Sequence, residues 1–238
     1  MNPAIILFSG NKGGSGKSIG TMAYLDMLLQ LEKNVCLVET DISGRDVGCA
    51  YEKTVPTEDI ALDDNNGYVQ FTNLLGKEEY ENTSFVVNGA ARLNEGAKEG
   101  IDTLLNALPE LKRELIVFWM LNRQRPSLEM LRIFLDMIEE NENSYMVKIY
   151  AVKNLYCGAS EKFVLFDQSK TAKKLKERGS KVVEFPELAD LVADEIVNTK
   201  QTIQVASEVQ TIGNRGEIAS WRKKVRKAFK EVMSEYSG

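Results

Sequence analysis

The feature that most constrains this chain is a glycine-rich stretch, residues 9–18, with the sequence SGNKGGSGKS. It follows a short apolar run, residues 4–8, and precedes a helical pattern over residues 19–31. Glycines in such a loop reach backbone angles that are closed to other residues, so that main-chain N–H groups can approach a ligand. Together with the N-terminus of the following helix, those N–H groups form a cradle for an anion. The order of strand, glycine loop and helix therefore predicts a phosphate-binding loop.

The polar side chains of this loop add groups that a bound nucleotide needs. Lys17 is placed to reach the β- and γ-phosphates, and Ser18 to offer its hydroxyl to Mg²⁺. The common pattern G-x-x-x-x-G-K-[ST] is not met, because Asn11 replaces its first glycine. The pattern K-G-G-x-G-K-[ST] is complete, with an additional lysine at Lys12. The alternative is an ordinary glycine-rich turn with two solvated lysines.

This second pattern resembles the deviant Walker A motif of the ParA/MinD family of P-loop ATPases. The resemblance implies an ATP- and Mg²⁺-dependent ATPase in which two subunits face each other across the nucleotides. In that family the additional lysine reaches the nucleotide of the partner subunit, which implies catalytic roles for Lys12 and Lys17. The resemblance implies nucleotide contacts from Asn11, Gly13, Gly14, Ser15, Gly16, Lys17, Ser18 and Ile19.

Composition narrows the classes of protein to consider. The 238 residues are enough for one large α/β domain with a substantial core. A formal net charge of −5 argues against a surface that binds nucleic acid throughout, and leaves room for local basic patches. Histidine is absent, so catalysis would rest on carboxylates, lysines, backbone groups and a metal. Three scattered cysteines and the lack of an apolar stretch of membrane-spanning length predict a cytoplasmic protein.

An acidic segment follows the second predicted strand, residues 35–38. Asp41 lies there, at the carboxyl end of a parallel strand, where doubly wound sheets bind ligands. The segment resembles the second nucleotide motif of the family, whose aspartate positions the attacking water near the γ-phosphate and Mg²⁺. Phosphoryl transfer requires few groups from the protein, and a residue that positions the attacking water is one of them. The alternative is a loop carboxylate that caps a turn.

The strand predicted at residues 85–87 ends in Asn88, where the resemblance places the Walker B aspartate. An asparagine can hydrogen-bond a metal-bound water but carries no charge, so it stabilises the ion weakly and cannot act as a base. We therefore expect slow ATP hydrolysis with Asp41 in the carboxylate role, or use of ATP mainly as a switch. On this interpretation Asn88→Asp raises the rate.

Two later strands predict the nucleobase side of the site. The strand at residues 146–152 leads to Asn154, which resembles the family asparagine that hydrogen-bonds the adenine ring. After the last strand, residues 181–185, Pro186 and Leu188 stand where the family brackets the adenine. We expect a helix to begin at the proline.

The alternation of strands and helices over residues 4–198 predicts an α/β fold. Its sheet is expected to be doubly wound and mostly parallel, with about seven strands and helices on both faces. We assign residues 1–198 to a ParA-like P-loop ATPase domain and residues 199–238 to a C-terminal extension packed on it. Residues 51–66 are expected to be irregular surface chain, and Ser127 to cap a helix.

An amphipathic basic helix is predicted over residues 217–236. The apolar face comprises Ile218, Trp221, Val225, Phe229, Val232 and Tyr236. The basic residues are Arg222, Lys223, Lys224, Arg226, Lys227 and Lys230. Three interpretations remain open: a helix docked on the sheet with solvated lysines, a patch for non-specific DNA binding as in partition ATPases of the family, and a membrane-surface helix as in its MinD branch. The apolar face is buried in the first two and exposed in the third.

The resemblance implies a switch in which ATP joins two subunits, the dimer binds DNA or an unidentified partner protein, and hydrolysis releases it. Short chains of this kind resemble plasmid proteins of partition, stability or conjugative transfer. The alternatives are a nucleotide-gated scaffold or filament with little hydrolysis, a MinD-like membrane-surface positioning ATPase, and an ATP-dependent metabolic enzyme or metal-cluster carrier. The lack of a cysteine pair argues against the carrier.

Overall fold

The described residues of the computed structural model, 3–10, 14–42, 44–89 and 95–234, form seven β-strands and ten α-helices. The strands are β1 (Ile5–Gly10), β2 (Val35–Glu39), β3 (Thr57–Asp59), β4 (Ser84–Asn88), β5 (Leu115–Leu121), β6 (Val147–Asn154) and β7 (Val182–Phe185). The helices are α1 (Lys17–Gln30), α2 (Asp46–Tyr51), α3 (Asn65–Leu75), α4 (Glu95–Leu111), α5 (Arg125–Glu139), α6 (Val164–Asp167), α7 (Lys170–Glu177), α8 (Asp190–Thr199), α9 (Ile203–Val209) and α10 (Ile212–Ser234). Asn11, Lys12, Gly13 and Tyr236 lie outside the described residues.

The strands form one sheet in the order β3-β2-β4-β1-β5-β6-β7, and every neighbouring pair is parallel. The prediction of an α/β doubly wound sheet is confirmed, and the qualification "mostly" parallel is unnecessary for the described residues. Continuous apolar runs explain this arrangement, because strands of parallel sheets are covered on both faces. β5, with the sequence LIVFWML, is buried along its whole length.

The chain reverses its direction of travel across the sheet next to β1. From β1 the chain passes through α1 to β2 on one side, whereas from β4 it passes through α4 to β5 on the other side. The carboxyl ends of β1 and β4 therefore border a crevice of the kind in which open α/β sheets bind ligands. In register, Asn88 pairs with Phe8 on one side and with Glu39 on the other.

Two apolar layers cover the two faces of the sheet. Helices α1, α2, α8, α9 and α10 pack on one face, and α3 to α7 pack on the other. α10 contributes the buried side chains Ile218, Trp221, Val225, Phe229 and Val232 to the first layer. The C-terminal segment thus shares the core of the sheet.

Three local predictions are wrong. Residues 57–59 form the edge strand β3 inside the segment expected to be irregular. A strand of three residues is too short to show an alternating pattern in the sequence. Ser127 is not the cap of α5, because the helix begins two residues earlier and Gln124 occupies the cap position. Pro186 does not open α8, which begins at Asp190 after a short extended connection.

Candidate nucleotide-binding site

Two residues in the described part of the glycine loop have left-handed backbone angles. Gly14 has a φ of 67° and Gly16 a φ of 90°, a region that L side chains rarely adopt. Gly16 caps the N-terminus of α1, and a Cβ atom there would collide with the amide of Asn154. Helix α1 begins at Lys17, so the first N–H groups of the helix face the loop, as an anion cradle requires.

Asn154, at the end of β6, fixes this loop from the side. Its Nδ2 donates to the backbone carbonyl of Ser15 at 3.0 Å, and its Oδ1 accepts from the backbone N–H of Tyr156 at 3.2 Å. Asn154 is 3% exposed, so these are buried hydrogen bonds that hold the loop against β6. The predicted contact with an adenine ring stays a prediction, and the structure assigns the side chain a second task, the shape of the loop.

Lys17 and Asp41 interact across the crevice. Burial lowers the pKa of Lys17, and the negative charge of Asp41 opposes that effect. Asp41 is itself exposed and organises a turn, in which its carboxylate accepts from the N–H of Gly44 at 3.3 Å. The capping interpretation of Asp41 is thus confirmed. It does not exclude the predicted catalytic role, because the same carboxylate interacts electrostatically with Lys17, the lysine predicted to bind phosphate.

A buried hydrogen-bond network lies behind these residues, at the ends of β2 and β4. The Nδ2 of Asn88 donates to Oε1 of Glu39 at 2.7 Å, and the backbone N–H of Gly48 donates to Oε2 at 3.0 Å. The hydroxyl of Thr21, on α1, lies 3.2 Å from Oδ1 of Asn88 and 3.0 Å from the carbonyl of Lys17. These hydrogen bonds therefore connect the acidic end of β2 to the first turn of α1.

Glu39 is the acidic residue that the sequence reasoning missed. It is fully buried, and burial raises its pKa to about 6 against the lowering effect of its hydrogen bonds from Gly48 and Asn88. A signal was present in the sequence, because Glu39 closes an apolar strand two residues before Asp41. In a buried parallel strand a charged residue at the carboxyl end lies where ligands bind.

A pocket of about 230 Å³ opens on the other side of the glycine loop. It brings together residues that are distant in sequence, namely Gly14, Gly16, Ile19, Asn154, Tyr156, Phe185, Pro186, Glu187, Leu188, Asp190, Ala193, Asp194 and Val197. The predicted nucleobase residues Asn154, Pro186 and Leu188 thus line one cavity beside the loop. Its walls are mainly apolar, as binding a flat heterocycle requires.

The packing of the C-terminal helix α10 decides one of the three interpretations left open for it. The described side chains of the predicted apolar face of α10, Ile218 to Val232, are packed in the core, with Trp221 1% and Phe229 0% exposed. The membrane-surface interpretation, which needs this face to be exposed, is wrong for this conformation. No helix among the described residues has both the length and the apolar character to cross a bilayer.

Arg222 differs from the other basic residues of α10. Its Nε and Nη2 donate to the carboxylate of Asp26, on α1, at 2.8 and 2.5 Å, and its Nη1 donates to the hydroxyl of Ser207 at 3.1 Å. Asp26 is 5% exposed, so this is a largely buried ion pair. Arg222 is therefore removed from the predicted DNA-contacting set. The residues that remain exposed are Lys223, Lys224, Arg226, Lys227 and Lys230.

The sequence is similar to a known protein over nearly its whole length. It is 39% identical over 235 residues to protein MobD of Acidithiobacillus ferrooxidans, which covers 99% of this chain and 100% of that protein. No protein-family model matches the sequence.

Solved structures of MinD proteins share the fold. The MinD cell division protein of Aquifex aeolicus superposes with a TM-score of 0.54 over 92% of this chain and 95% of that chain, at 13% identity. MinD of Pyrococcus horikoshii, solved as a complex with Mg-ADP, superposes with a TM-score of 0.52 over 94% and 95% of the two chains, also at 13% identity. The resemblance found in the glycine loop is thereby confirmed at the level of the fold. This chain belongs to the family of protein MobD and has the fold of the ParA/MinD-type P-loop ATPases.

Proposed function

We propose that this protein is an ATP-dependent dimerising switch ATPase of the ParA type, which acts in plasmid partition, stability or conjugative transfer. One observation carries the proposal: a phosphate-type loop, a lysine–aspartate pair and an apolar pocket lie side by side at one edge of the sheet. A nucleotide needs these three elements, and the sequence separates them by more than 170 residues, from Gly14 to Leu188.

In the proposed complex the phosphates lie over the loop and the adenine enters the pocket. Backbone N–H groups between Gly14 and Ser18 hold phosphate oxygens, and Lys17 reaches the β- and γ-phosphates. Ile19, Pro186 and Leu188 contact the base. Asn154 has one amide hydrogen beyond its bond to Ser15, which it can offer to a ring nitrogen.

The donor atoms at this edge fit Mg²⁺, which prefers oxygen ligands and keeps several waters. Ser18 offers its hydroxyl, Asp41 a carboxylate that acts through water, and Asn88 an amide oxygen near the same edge. When bound, the ion neutralises charge on the transferring phosphoryl group. Asp41 orients the attacking water, and the neutral amide at position 88 makes hydrolysis slow.

Dimerisation and release follow from the resemblance and from Lys12. Lys12 reaches the nucleotide of the facing subunit, so that ATP stabilises the dimer more than the monomer. A ligand can shift such an equilibrium only by its difference in affinity for the two states. This step of the proposal rests on the sequence of the loop.

Non-specific DNA is the proposed cargo of the dimer. Five exposed cations follow one another on α10, in a protein whose formal net charge is −5. Such a basic cluster, distinct from its acidic surroundings, provides phosphate contacts without sequence readout. Their positions lie on the solvent side of a helix whose apolar side is buried, so the helix can bind DNA without unfolding.

Sedimentation velocity with labelled random-sequence duplex DNA tests the proposal. The protein is measured without nucleotide, with ADP–Mg²⁺ and with a non-hydrolysable ATP analogue and Mg²⁺. We expect dimers that carry DNA with the analogue alone. Monomers under all three conditions would contradict the switch. The variant Lys17→Ala is measured in the same way, and its control is Lys33→Ala, which replaces an exposed lysine after α1.

A second candidate is a nucleotide-gated scaffold or filament that scarcely hydrolyses ATP. The observation that favours it is the neutral amide of Asn88, both ends of which lie in hydrogen bonds with protein groups. Large polymers with the analogue and no bound DNA would support this candidate over the partition-type switch.

A further inference from the structure

The buried hydrogen-bond network at the ends of β2 and β4 divides the two properties of a metal-binding carboxylate between two residues. One residue carries the charge, and the other carries the oxygen that faces the crevice. Glu39 carries a carboxylate and is 0% exposed, so it cannot meet solvent directly. Asn88 stands between it and the crevice and is 6% exposed. The charge therefore lies one residue behind the position at which P-loop ATPases are expected to present it.

The orientation of the Asn88 amide follows from its neighbours. A carboxylate accepts hydrogen bonds, so the NH₂ group of Asn88 must face Glu39, at 2.7 Å, and the carbonyl oxygen must face the other way. On that other side lies the hydroxyl of Thr21, on the helix that begins with Lys17 and Ser18. The Oδ1 of Asn88 is thus directed toward the phosphate-binding helix by the charge behind it.

Two backbone N–H groups also hold the carboxylate of Glu39 in place. Gly48, in α2, donates its N–H to Oε2 at 3.0 Å, and the backbone N–H of Asp41, in the loop before α2, donates as well. None of the donors is a cation, so the negative charge of Glu39 is hydrogen-bonded but is not neutralised by them. A charge held in this way polarises the amide that it contacts and acts over a longer range than it would in water.

We propose that Glu39 and Asn88 together replace the single Walker B aspartate: Glu39 supplies the negative charge, and Asn88 presents the oxygen to a water of the Mg²⁺ ion. Glu39 is a positioning residue in this scheme, because it acts through Asn88. The inference rests on the proposed function, since it assumes that ATP and a divalent ion occupy the crevice.

The inference reverses the expectation that Asn88→Asp raises the rate. An aspartate at position 88 places a carboxylate oxygen where an N–H now donates to Glu39, so two carboxylates face each other at hydrogen-bond distance. Like charges at such a distance cannot both stay ionised at no cost. The single substitution is expected to damage the site, whereas the double substitution Glu39→Gln with Asn88→Asp moves the charge forward and restores it.

Two measurements on the full-length protein test the inference. Binding of Mn²⁺ to the ATP complex is measured by electron paramagnetic resonance, and stability without nucleotide by urea unfolding. Glu39→Gln is expected to weaken Mn²⁺ binding about tenfold, the usual loss for a group that supports a metal ligand. ATP affinity in the presence of EDTA is expected to stay unchanged. Glu58→Gln, the same chemical change on neighbouring β3, is the matched control and leaves Mn²⁺ binding unchanged.

The variants at position 88 complete the test. Asn88→Asp is expected to lower the urea midpoint by about 1 M, and the double variant to recover both the midpoint and Mn²⁺ binding to within about twofold of the wild type. Tighter Mn²⁺ binding by Asn88→Asp alone, at an unchanged midpoint, would overturn the inference, as would unchanged Mn²⁺ binding by Glu39→Gln. Failure of the wild-type protein to bind ATP both with Mg²⁺ and in EDTA would instead contradict the proposed function.

Discussion

Two buried carboxylates, Glu39 at the nucleotide edge and Asp26 under the C-terminal helix, are treated differently by the fold. Asp26 lies opposite a guanidinium, since Arg222 donates two hydrogen bonds to it, and Gln30 donates a third at 2.5 Å. Glu39 is held by the amide of Asn88 and by the backbone N–H groups of Gly48 and Asp41, and burial raises its pKa to about 6.

The comparison distinguishes the carboxylate of Asp26, which stabilises the fold, from that of Glu39, which we propose interacts with a ligand. The pair Asp26–Arg222 joins α1 to α10 and is complete within the chain. The hydrogen-bond donors to Glu39 are an amide and backbone N–H groups, and Glu39 lies beside the crevice, so a bound cation would stabilise it. The ion pair of the C-terminal region stabilises the fold, whereas we propose that the charge at the β2–β4 edge serves a metal ion.

Removing the buried ring of Phe229 from α10 tests the structural side of this comparison most strongly. The ring of Phe229 packs against Tyr24 at 5.3 Å and Phe118 at 5.0 Å between centroids. Phe229→Ala is expected to lower the free energy of unfolding by about 4 kcal/mol, measured by urea denaturation. Ile212→Ala, 82% exposed on the same helix, should change it by less than about 0.5 kcal/mol. Equal effects of the two variants would mean that α10 does not pack as described.

The ion pair is the next largest expected effect. Asp26→Asn leaves the partly buried Arg222 without its counter-charge and is expected to cost about 3 kcal/mol of unfolding free energy. The double variant Asp26→Leu with Arg222→Met removes both charges and should recover most of that loss. If the double variant is less stable than Asp26→Asn, the pair contributes more to the free energy of unfolding than compensation of charge. The contrast between Asp26 and Glu39 would then be wrong.

Glu39 is expected to produce a pH dependence of opposite sign to that of a salt-bridged acid. Its pKa in the folded protein, about 6, exceeds the ordinary value of 4.5 for a glutamate, so the folded protein binds more protons than the unfolded chain between these pH values. Stability from this group is present at low pH and is lost as pH rises from about 4.5 to 6, by about 2 kcal/mol in total. The difference in unfolding free energy between wild type and Glu39→Gln, measured from pH 4 to 8, isolates this contribution. A difference that grows in favour of the wild type with rising pH would contradict it.

The exposed lysines of α10 are expected to affect stability least. Lys223→Gln with Lys227→Gln should change the unfolding free energy by less than about 0.5 kcal/mol. If the helix binds DNA, the slope of log affinity against log salt should become shallower by about 2, one unit for each phosphate contact. An unchanged slope, determined by fluorescence anisotropy with the ATP analogue, would remove DNA from the proposal.

The sequence predicted the fold class and much of the site because both depend on local patterns. The apolar runs of the core strands and the loop at Gly14 to Ser18 each show a complete signal within a few residues. The pocket formed by Asn154, Pro186 and Leu188 was reached through family resemblance, since those residues meet only across the sheet.

The rest depends on contacts between residues far apart in sequence. Glu39 and Asn88 are 49 positions apart, and Asp26 and Arg222 are 196 apart, so neither pairing leaves a periodic trace. β3 was missed for another reason, because three residues are too few to show an alternation and its place depends on the neighbouring β2.

Calorimetric titration with ATP and Mg²⁺ tests the central claim most directly. The account predicts that the wild-type protein and Lys33→Ala bind one ATP per chain with equal affinity, whereas Lys17→Ala loses at least about a hundredfold. Absence of binding by the wild-type protein, or equal binding by Lys17→Ala, would contradict the assignment of this sheet edge as a nucleotide site.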